Sequence, residues 1–231
     1  MYTKYSSGVK ASYWFPDGES SATGSVIPQS SAVKIDSTLF THLYYAYADL
    51  DPQTHKVFIS DAHNNEFSTF TNNVKKKNPH VETILSIGGR NADKSAFASM
   101  ASNPTSRISF IWSSILIARY NRFDGLDLAW EYPKNDVEMS NFGKLLEEWR
   151  SAVEDEAERT ENIPLLLTAA VYYSSDYNSV SYPIPEVEEN LDWVNLIAYD
   201  FYGSSTIIGP PAALFDPTKP AGINVLNIYS C

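Results

Sequence analysis

The segment "FDGLDLAWEYP", residues 123–133, places Asp124, Asp127 and Glu131 in a run that is otherwise apolar. An ionised carboxylate is costly to bury unless it is hydrogen-bonded, paired or protonated. Because groups with perturbed proton affinity concentrate in functional sites, this row of carboxyls indicates a site built on the segment. The alternative is structural: Asp127 would bond backbone amides, and Glu131 would lie on a solvated loop.

The two faces of the segment differ in chemistry if it forms a β-strand, where side chains alternate. Bulky apolar residues share one face and the carboxyls share the other: Leu126, Leu128 and Trp130 against Gly125, Asp127, Ala129 and Glu131. We expect the apolar face to pack on helices and the other face to point into the fold. Glu131 then lies at the carboxyl end of the strand, where the interior of the fold opens to solvent, a region called the mouth below. Asp127 and Glu131 are then roughly 13 Å apart, at ~3.3 Å per residue.

Five further apolar segments, rich in β-branched and aromatic residues, alternate with segments of helical spacing. They are "VKASYWF", "HLYYAYADL", "VETILSIGG", "PLLLTAAVYY" and "WVNLIAYDFYG". Between strands, "MSNFGKLLEEWRSAV" repeats apolar residues with helical period, and Asn103 followed by Pro104 is typical of a helix start. About six repeats of strand and helix predict a parallel sheet covered by helices.

An open doubly wound sheet and a closed barrel share this pattern. No GxGxxG follows the first strand, which disfavours the dinucleotide-binding version. A barrel explains the polar residues and glycines at strand ends, where barrel sites are built: Asp49, Gly88, Gly89, Glu131, Tyr172, Tyr173 and Asp200. We therefore predict an α/β fold of the (β/α)8 TIM-barrel type, with residues 1–231 as a single domain.

Composition limits the partners of the chain. Seventeen Lys and Arg against 28 Asp and Glu give a net charge of −11, which argues against nucleic acid and anionic membranes. The one cysteine, Cys231, excludes an internal disulfide, and no histidines have metal-ligand spacing, so we expect no metal and no cofactor. The sequence has neither a membrane-length apolar run nor a signal-peptide-like start, so the chain as given is expected to be cytosolic or secreted without its leader.

Three motifs resemble those of glycoside hydrolase family 18. "FDGLDLAWEYP" resembles the fourth-strand signature DxxDxDxE, "ILSIGG" the third-strand SxGG motif, and "LIAYDFYG" the sixth-strand MxYDxxG motif. The segments "ASYWFP", "FTHLYYAYADL" and "GPPAALFDP" are most similar to the plant class V chitinases of that family. The resemblance runs from about Val9 to about Pro220 and implies a (β/α)8 barrel, in agreement with the pattern of elements.

The resemblance implies catalytic roles for three residues. Such enzymes cleave β-1,4-linked N-acetylglucosamine with the N-acetyl oxygen of the substrate as nucleophile. Glu131 would protonate the leaving oxygen and later activate water, and Tyr199 would donate to the acetamide oxygen. Asp127 belongs to the same catalytic set but is too distant along the strand to be a nucleophile.

The resemblance also implies a substrate-binding set, and chitin or chito-oligosaccharides as partners. Asp200 would shape the acetamide subsite, and aromatic residues, Trp130 among them, would offer ring faces to sugars unless they pack in the core. The full set is Asp200, Tyr13, Tyr132, Tyr202, Gly88 and Gly89. The family resemblance further implies an extracellular or vacuolar location.

The chain departs from the family pattern in ways that affect catalysis. Ala129 replaces the third aspartate, which holds the acetamide N–H, stabilises the oxazolinium cation and raises the proton affinity of the neighbouring glutamate. Loss of one such preorganised group typically costs about 10²–10³ in rate. Ile197 replaces a methionine. The sequence also ends before a seventh strand, so we expect an incomplete barrel of about six βα units, truncated after the sixth strand, with apolar edges that promote self-association.

Three functions remain open. Glu131, Asp127, Tyr199 and Asp200 favour an active endochitinase. Ala129 and the early end favour a chitinase-like lectin or inhibitor, which recognises N-acetylglucosamine oligomers with catalysis weak or lost. The third alternative is a truncated product without stable activity.

Overall fold

The computed structural model describes residues 8–16 and 32–199. Within these ranges the strands are β1 Ala11–Trp14, β2 His42–Leu50, β3 Val57–Phe58, β4 Glu82–Gly88, β5 Gly125–Ala129, β6 Leu166–Tyr172, β7 Asp176–Tyr177, β8 Val180–Ser181 and β9 Trp193–Ile197. The α-helices are α1 Asn64–Lys75, α2 Lys94–Ser102, α3 Pro104–Tyr120, α4 Asp136–Thr160 and α5 Ile184–Asn190. Short 3-10 helices lie at Ala32–Lys34, Ser37–Leu39 and Asp61–His63.

Six parallel strands form one sheet in the order β1-β2-β4-β5-β6-β9, with β3 antiparallel to the end of β2. The sheet curls so far that the side chains of its two outermost strands meet: Asn195 Nδ2 lies 3.0 Å from the Tyr13 hydroxyl. This curled sheet, with helices between successive strands, confirms the predicted TIM-barrel type, and the described residues form a partial barrel of six parallel strands. No helix in the described part of the chain is long and apolar enough to cross a membrane.

The helices begin and pack as their sequences predict. Asn103 caps α3, since its side chain accepts hydrogen bonds from two backbone amides of the first turn, and Pro104 follows it. On α4, the apolar residues with helical period are all buried, and they face the sheet and the neighbouring helices: Phe142, Leu145, Leu146, Trp149 and Val153. Period alone therefore located the buried face of this helix.

Strand β5 separates two differently packed regions. Leu126, Leu128 and Trp130 lie in the apolar core between sheet and helices, where the Trp130 ring stacks on Phe97 at 6.2 Å. That contact confirms core packing as the role of Trp130. By alternation, Asp127 and Ala129 face the concave side of the sheet, and both are buried.

Candidate active site

Asp127 is the centre of a polar network on the concave side of the sheet. Its fully buried carboxylate accepts hydrogen bonds from four side chains on four other strands: Ser86 (2.6 Å), Thr168 (2.7 Å), Tyr13 (3.1 Å) and Asn195 (3.3 Å). Burial raises the pKa of Asp127, and these donors oppose the rise. The structural alternative of backbone amide donors does not occur here, because every donor is a side chain.

Tyr13 belongs to the same network. Its hydroxyl donates to Asp127 and lies beside Asn195, and its ring stacks on Tyr44 at 4.5 Å between centroids. Burial, and next the charge of Asp127, raise the pKa of Tyr13. Tyr44 therefore covers one ring face of Tyr13, and sugar binding by the other face stays a prediction.

Glu131 lies two residues beyond the end of β5, at the carboxyl ends of the strands, and is half-buried. The described residues offer its carboxylate no hydrogen-bond donor, in contrast to Asp127. Burial raises the pKa of Glu131, the charges of Lys94 and Arg90 lower it, and the charge of Asp127 raises it. A carboxyl with raised proton affinity and free acceptor positions is suited to donate a proton to a bound molecule.

The glycines of the "SIGG" segment bring β4 close to β5. Gly88 has a φ of +112°, and a Cβ there would lie 2.5 Å from the carbonyl oxygen of Ala129. Gly89 has a φ of +88°, a Cβ there would lie 2.5 Å from the ring of Tyr47, and its amide donates to Ala129 O at 2.8 Å. Both positions therefore require glycine for backbone conformation and close approach, while contact of Gly88 and Gly89 with substrate stays a prediction.

Tyrosine rings gather beside Glu131. Tyr132 lies 5.6 Å from the ring of Tyr172 and 4.8 Å from that of Tyr177, which the β7–β8 hairpin contributes. Tyr173 extends the group through Tyr172 at 4.3 Å. Burial, and next the charge of Glu131, raise the pKa of Tyr132. These rings form a half-buried aromatic surface next to the carboxyl, as a sugar-binding role for Tyr132 requires.

The remaining predicted residues lie at the end of the described chain. Tyr199 is 46% exposed and follows the end of β9 by two residues. Asp200 and Tyr202 lie outside the described residues. Glu131, Tyr132 and Tyr199 all follow the carboxyl ends of their strands, whereas Tyr13 and Asp127 lie within strands, and the catalytic role of Tyr199 stays a prediction.

Asp124, the third carboxyl of the opening segment, is at the opposite end of β5. It forms an ion pair with Lys75 at 2.7 Å and accepts hydrogen bonds from the amide and hydroxyl of Thr83 at 2.7 and 3.1 Å. These contacts tie α1 and β4 to β5. Asp124 is structural and far from the carboxyl ends of the strands.

Sequence reasoning missed Lys94, Arg90 and Tyr177. The two basic residues follow the "SIGG" segment within five positions, and "YYSSDY" carries Tyr177 just after β6. Proximity to a strand end was the available signal, since loops at the carboxyl ends of barrel strands form the site. Nothing in residue type alone pointed to them.

The profile of the glycosyl hydrolases family 18 matches residues 10–230, and the chain belongs to this family. It is 58% identical over 218 residues to the class V chitinase of Arabidopsis thaliana, covering 93% of this chain and 55% of that protein. The similarity to plant class V chitinases noted in the sequence is thereby confirmed. The chain spans just over half the length of this curated relative.

Two solved structures extend the comparison. A mutant class V chitinase from Nicotiana tobaccum in complex with NAG4 superposes with a TM-score of 0.83 and 46% identity, covering 91% of this chain and 58% of that one. The chitinase-like agglutinin RobpsCRA from Robinia pseudoacacia gives a TM-score of 0.80 and 44% identity, covering 91% and 61%. The chain is thus similar both to an enzyme and to an agglutinin.

Proposed function

We propose that this protein recognises β-1,4-linked N-acetylglucosamine oligomers at the carboxyl ends of β4, β5 and β6, with hydrolysis weak or lost. The observation that carries the proposal is the half-buried Glu131, whose carboxylate has no donor among the described residues and which directly precedes Tyr132 and its cluster of tyrosine rings. Carboxylate acceptors and aromatic faces are the two groups that bind sugar hydroxyls and sugar rings. The NAG4 complex of the tobacco relative supports this choice of ligand.

Weak hydrolysis follows from residue 129. Ala129 is buried on the same face of β5 as Asp127 and offers only a methyl group where the family signature has a carboxylate. Asp127 does not substitute for it, because four donors already occupy its oxygens. The acetamide N–H and the developing oxazolinium charge would therefore lack a stabilising anion.

A working chitinase is the second candidate. It is favoured by the raised pKa of Glu131, which keeps a proton available to the leaving oxygen at higher pH than an ordinary glutamate does. In this case Glu131 is the acid and then the base, and Tyr199 orients the acetamide. Loss of the anion at position 129 would still reduce the rate.

Calorimetry with chitotetraose, run beside a chromatographic product assay, tests both candidates. We expect binding in the micromolar-to-millimolar range, about −4 to −8 kcal/mol, with the tetraose recovered intact. Cellotetraose, which lacks the acetamides, is the matched ligand control and should bind more weakly. Absence of heat with chitotetraose contradicts recognition, and rapid product formation contradicts weak hydrolysis.

Two further expectations belong to the proposal. Among the described strands, β1 and β9 each pair on one side only, and such edges promote association between chains. Light scattering across a concentration series tests this, and a constant monomer mass would contradict it.

The family resemblance also supports an extracellular or vacuolar location, which fractionation of plant cells expressing a tagged chain would test.

A further inference from the structure

Two hydrogen bonds connect Lys94 to the end of β5, two residues before Glu131. The ammonium of Lys94 donates to the carbonyl oxygen of Gly89 at 2.6 Å. The amide of Gly89 in turn donates to the carbonyl oxygen of Ala129 at 2.8 Å, two residues before Glu131. The positive charge is thereby fixed at the carboxyl end of β4, beside the loop that carries the glutamate.

Lys94 is on the first turn of α2, whose backbone is fixed by a cap. Asp93 caps this helix by accepting hydrogen bonds from the amides of Ser95 and Ala96, at 2.9 and 3.3 Å. Lys94 is therefore the first residue of a capped helix and is half-buried. Its ammonium makes no ion pair of contact length with Glu131, so the two charges act on each other through space.

The electrostatic effects on the two groups are reciprocal. Burial lowers the pKa of Lys94, the charge of Glu131 raises it, and the charge of Arg90 lowers it. For Glu131, burial raises the pKa, Lys94 and then Arg90 lower it, and Asp127 raises it. Lys94 is thus the strongest of the charges that oppose the effect of burial on Glu131.

We propose that Lys94 is a positioning residue that acts through Glu131: its ammonium, held on Gly89, stabilises the carboxylate and disfavours the neutral acid that proton donation requires. Arg90 adds to the effect, Asp127 opposes it, and the phenol of Tyr132 is neutral near pH 7. The consequence of the Lys94 charge for catalysis rests on the proposed function. The protonation of Glu131, however, can be measured without any substrate.

The charge of Lys94 acts in the same direction as the substitution at position 129. An aspartate at 129 would raise the proton affinity of Glu131, and Ala129 removes that anion while Lys94 supplies a nearby cation. A neutral sugar covering the mouth would exclude water and strengthen the interaction of Lys94 with Glu131. Removing the charge of Lys94 should therefore favour the protonated form of Glu131, as an aspartate at position 129 would.

Carbon-13 NMR of protein labelled at the glutamate carboxyl tests the proposal, with the Glu131 signal identified by its loss in Glu131→Gln. In Lys94→Met we expect the pKa of Glu131 to rise, with several-fold higher proton affinity than in wild type. Lys94→Arg should leave the titration close to wild type. Lys77→Met is the matched control, because Lys77 also donates to a backbone carbonyl, Ile35 O at 2.8 Å, away from the strand ends that carry Glu131.

An unchanged titration in Lys94→Met overturns the proposal, as does an equal shift in Lys94→Arg, because charge would then not be the cause. If Lys94→Met does not fold, Lys94→Gln is titrated instead, since its polar side chain lacks the charge but can still donate to the Gly89 carbonyl oxygen. The pKa of Glu131 should rise in that variant as well, and a titration equal to wild type overturns the proposal. A failed sugar-binding experiment would contradict the proposed function and leave the NMR result standing, so the two failures are distinguishable.

Discussion

Asp127 and Glu131 lie on one face of one strand and its extension, yet their surroundings differ in almost every respect. Asp127 is completely buried and accepts four side-chain hydrogen bonds from four other strands. Glu131 is half-buried and is given no donor by the described residues, but Lys94 and Arg90 act on it. The difference implies that a carboxyl whose oxygens already accept hydrogen bonds from the protein has less capacity to bind a ligand than one left without protein donors.

The amino end of the strand adds a third case. Asp124 is partly exposed and is paired with Lys75 and Thr83. Along β5, the environment therefore changes from a surface ion pair, through a buried network, to a carboxyl without a protein donor. We expect substitutions of Asp124 and Asp127 to change the free energy of unfolding, and substitutions of Glu131 to change ligand binding and hydrolysis.

The largest effect is expected from Asp127→Ala. It would leave buried donors on β1, β4, β6 and β9 without their acceptor, and each unsatisfied buried donor costs about 1–3 kcal/mol. We expect the free energy of unfolding to fall by more than about 3 kcal/mol, measured by urea denaturation. Asp124→Ala is the control, and its loss should be only about 1 kcal/mol because water reaches that site. Equal losses would contradict the contrast between the two regions.

Ala129→Asp tests whether the missing carboxylate between Asp127 and Glu131 limits hydrolysis. It places a carboxylate on the face shared by Asp127 and Glu131, restoring an acceptor for the acetamide N–H and raising the proton affinity of Glu131. We expect chitotriose hydrolysis to rise by about 10²-fold or more, measured with a fluorogenic substrate.

Adding Glu131→Gln to Ala129→Asp should remove the gain, because no proton donor remains. Because Ala129 is 1% exposed, the folding of the variant must be checked by circular dichroism and its sugar binding by calorimetry. A folded, sugar-binding variant without any gain in rate would show that residue 129 is not the limiting defect.

Tyr132→Ala measures how much the Tyr132 ring contributes to sugar binding at the mouth. Removing this ring should weaken chitotetraose binding roughly tenfold, about 1.4 kcal/mol, because the ring face is lost. Tyr120→Ala is the control, since Tyr120 is 89% exposed on α3. Calorimetry should show unchanged affinity for the control, and equal affinities for both variants would exclude Tyr132 from the binding surface.

Local patterns in the sequence predicted the fold well. The alternation of residues along β5 and the helical period along α4 both match the observed burial of side chains. The six parallel strands of the described chain all coincide with predicted apolar segments. Alternation along the same segment also predicted Glu131 beyond the carboxyl end of β5, where the structure has it. These features depend on neighbours along the chain, which is why one sequence sufficed.

The partners of each carboxyl could not be predicted, because they come from distant parts of the chain. Tyr13 contacts Asp127 across 114 positions, and Lys94 bonds to Gly89 at the end of β4 and acts on Glu131 through space. Register is a second reason: β2 shifts between Ala46 and Ala48, and the ring of Tyr47 lies against Gly89. Simple alternation would have put Tyr47 with Tyr45 in the helix-side core.

The smallest effect is expected from Glu131→Gln, measured as stability against pH. Burial raises the folded pKa of Glu131, so the folded state binds more protons than the unfolded state between the ordinary value of 4.5 and the raised one. Wild-type stability therefore falls as pH rises through that window, and the neutral amide avoids this loss. We expect the stability of Glu131→Gln relative to wild type to increase from pH 4 to pH 7 in urea denaturation. A difference independent of pH would mean that Glu131 titrates as a solvated glutamate, and the contrast with Asp127 would then be one of position alone.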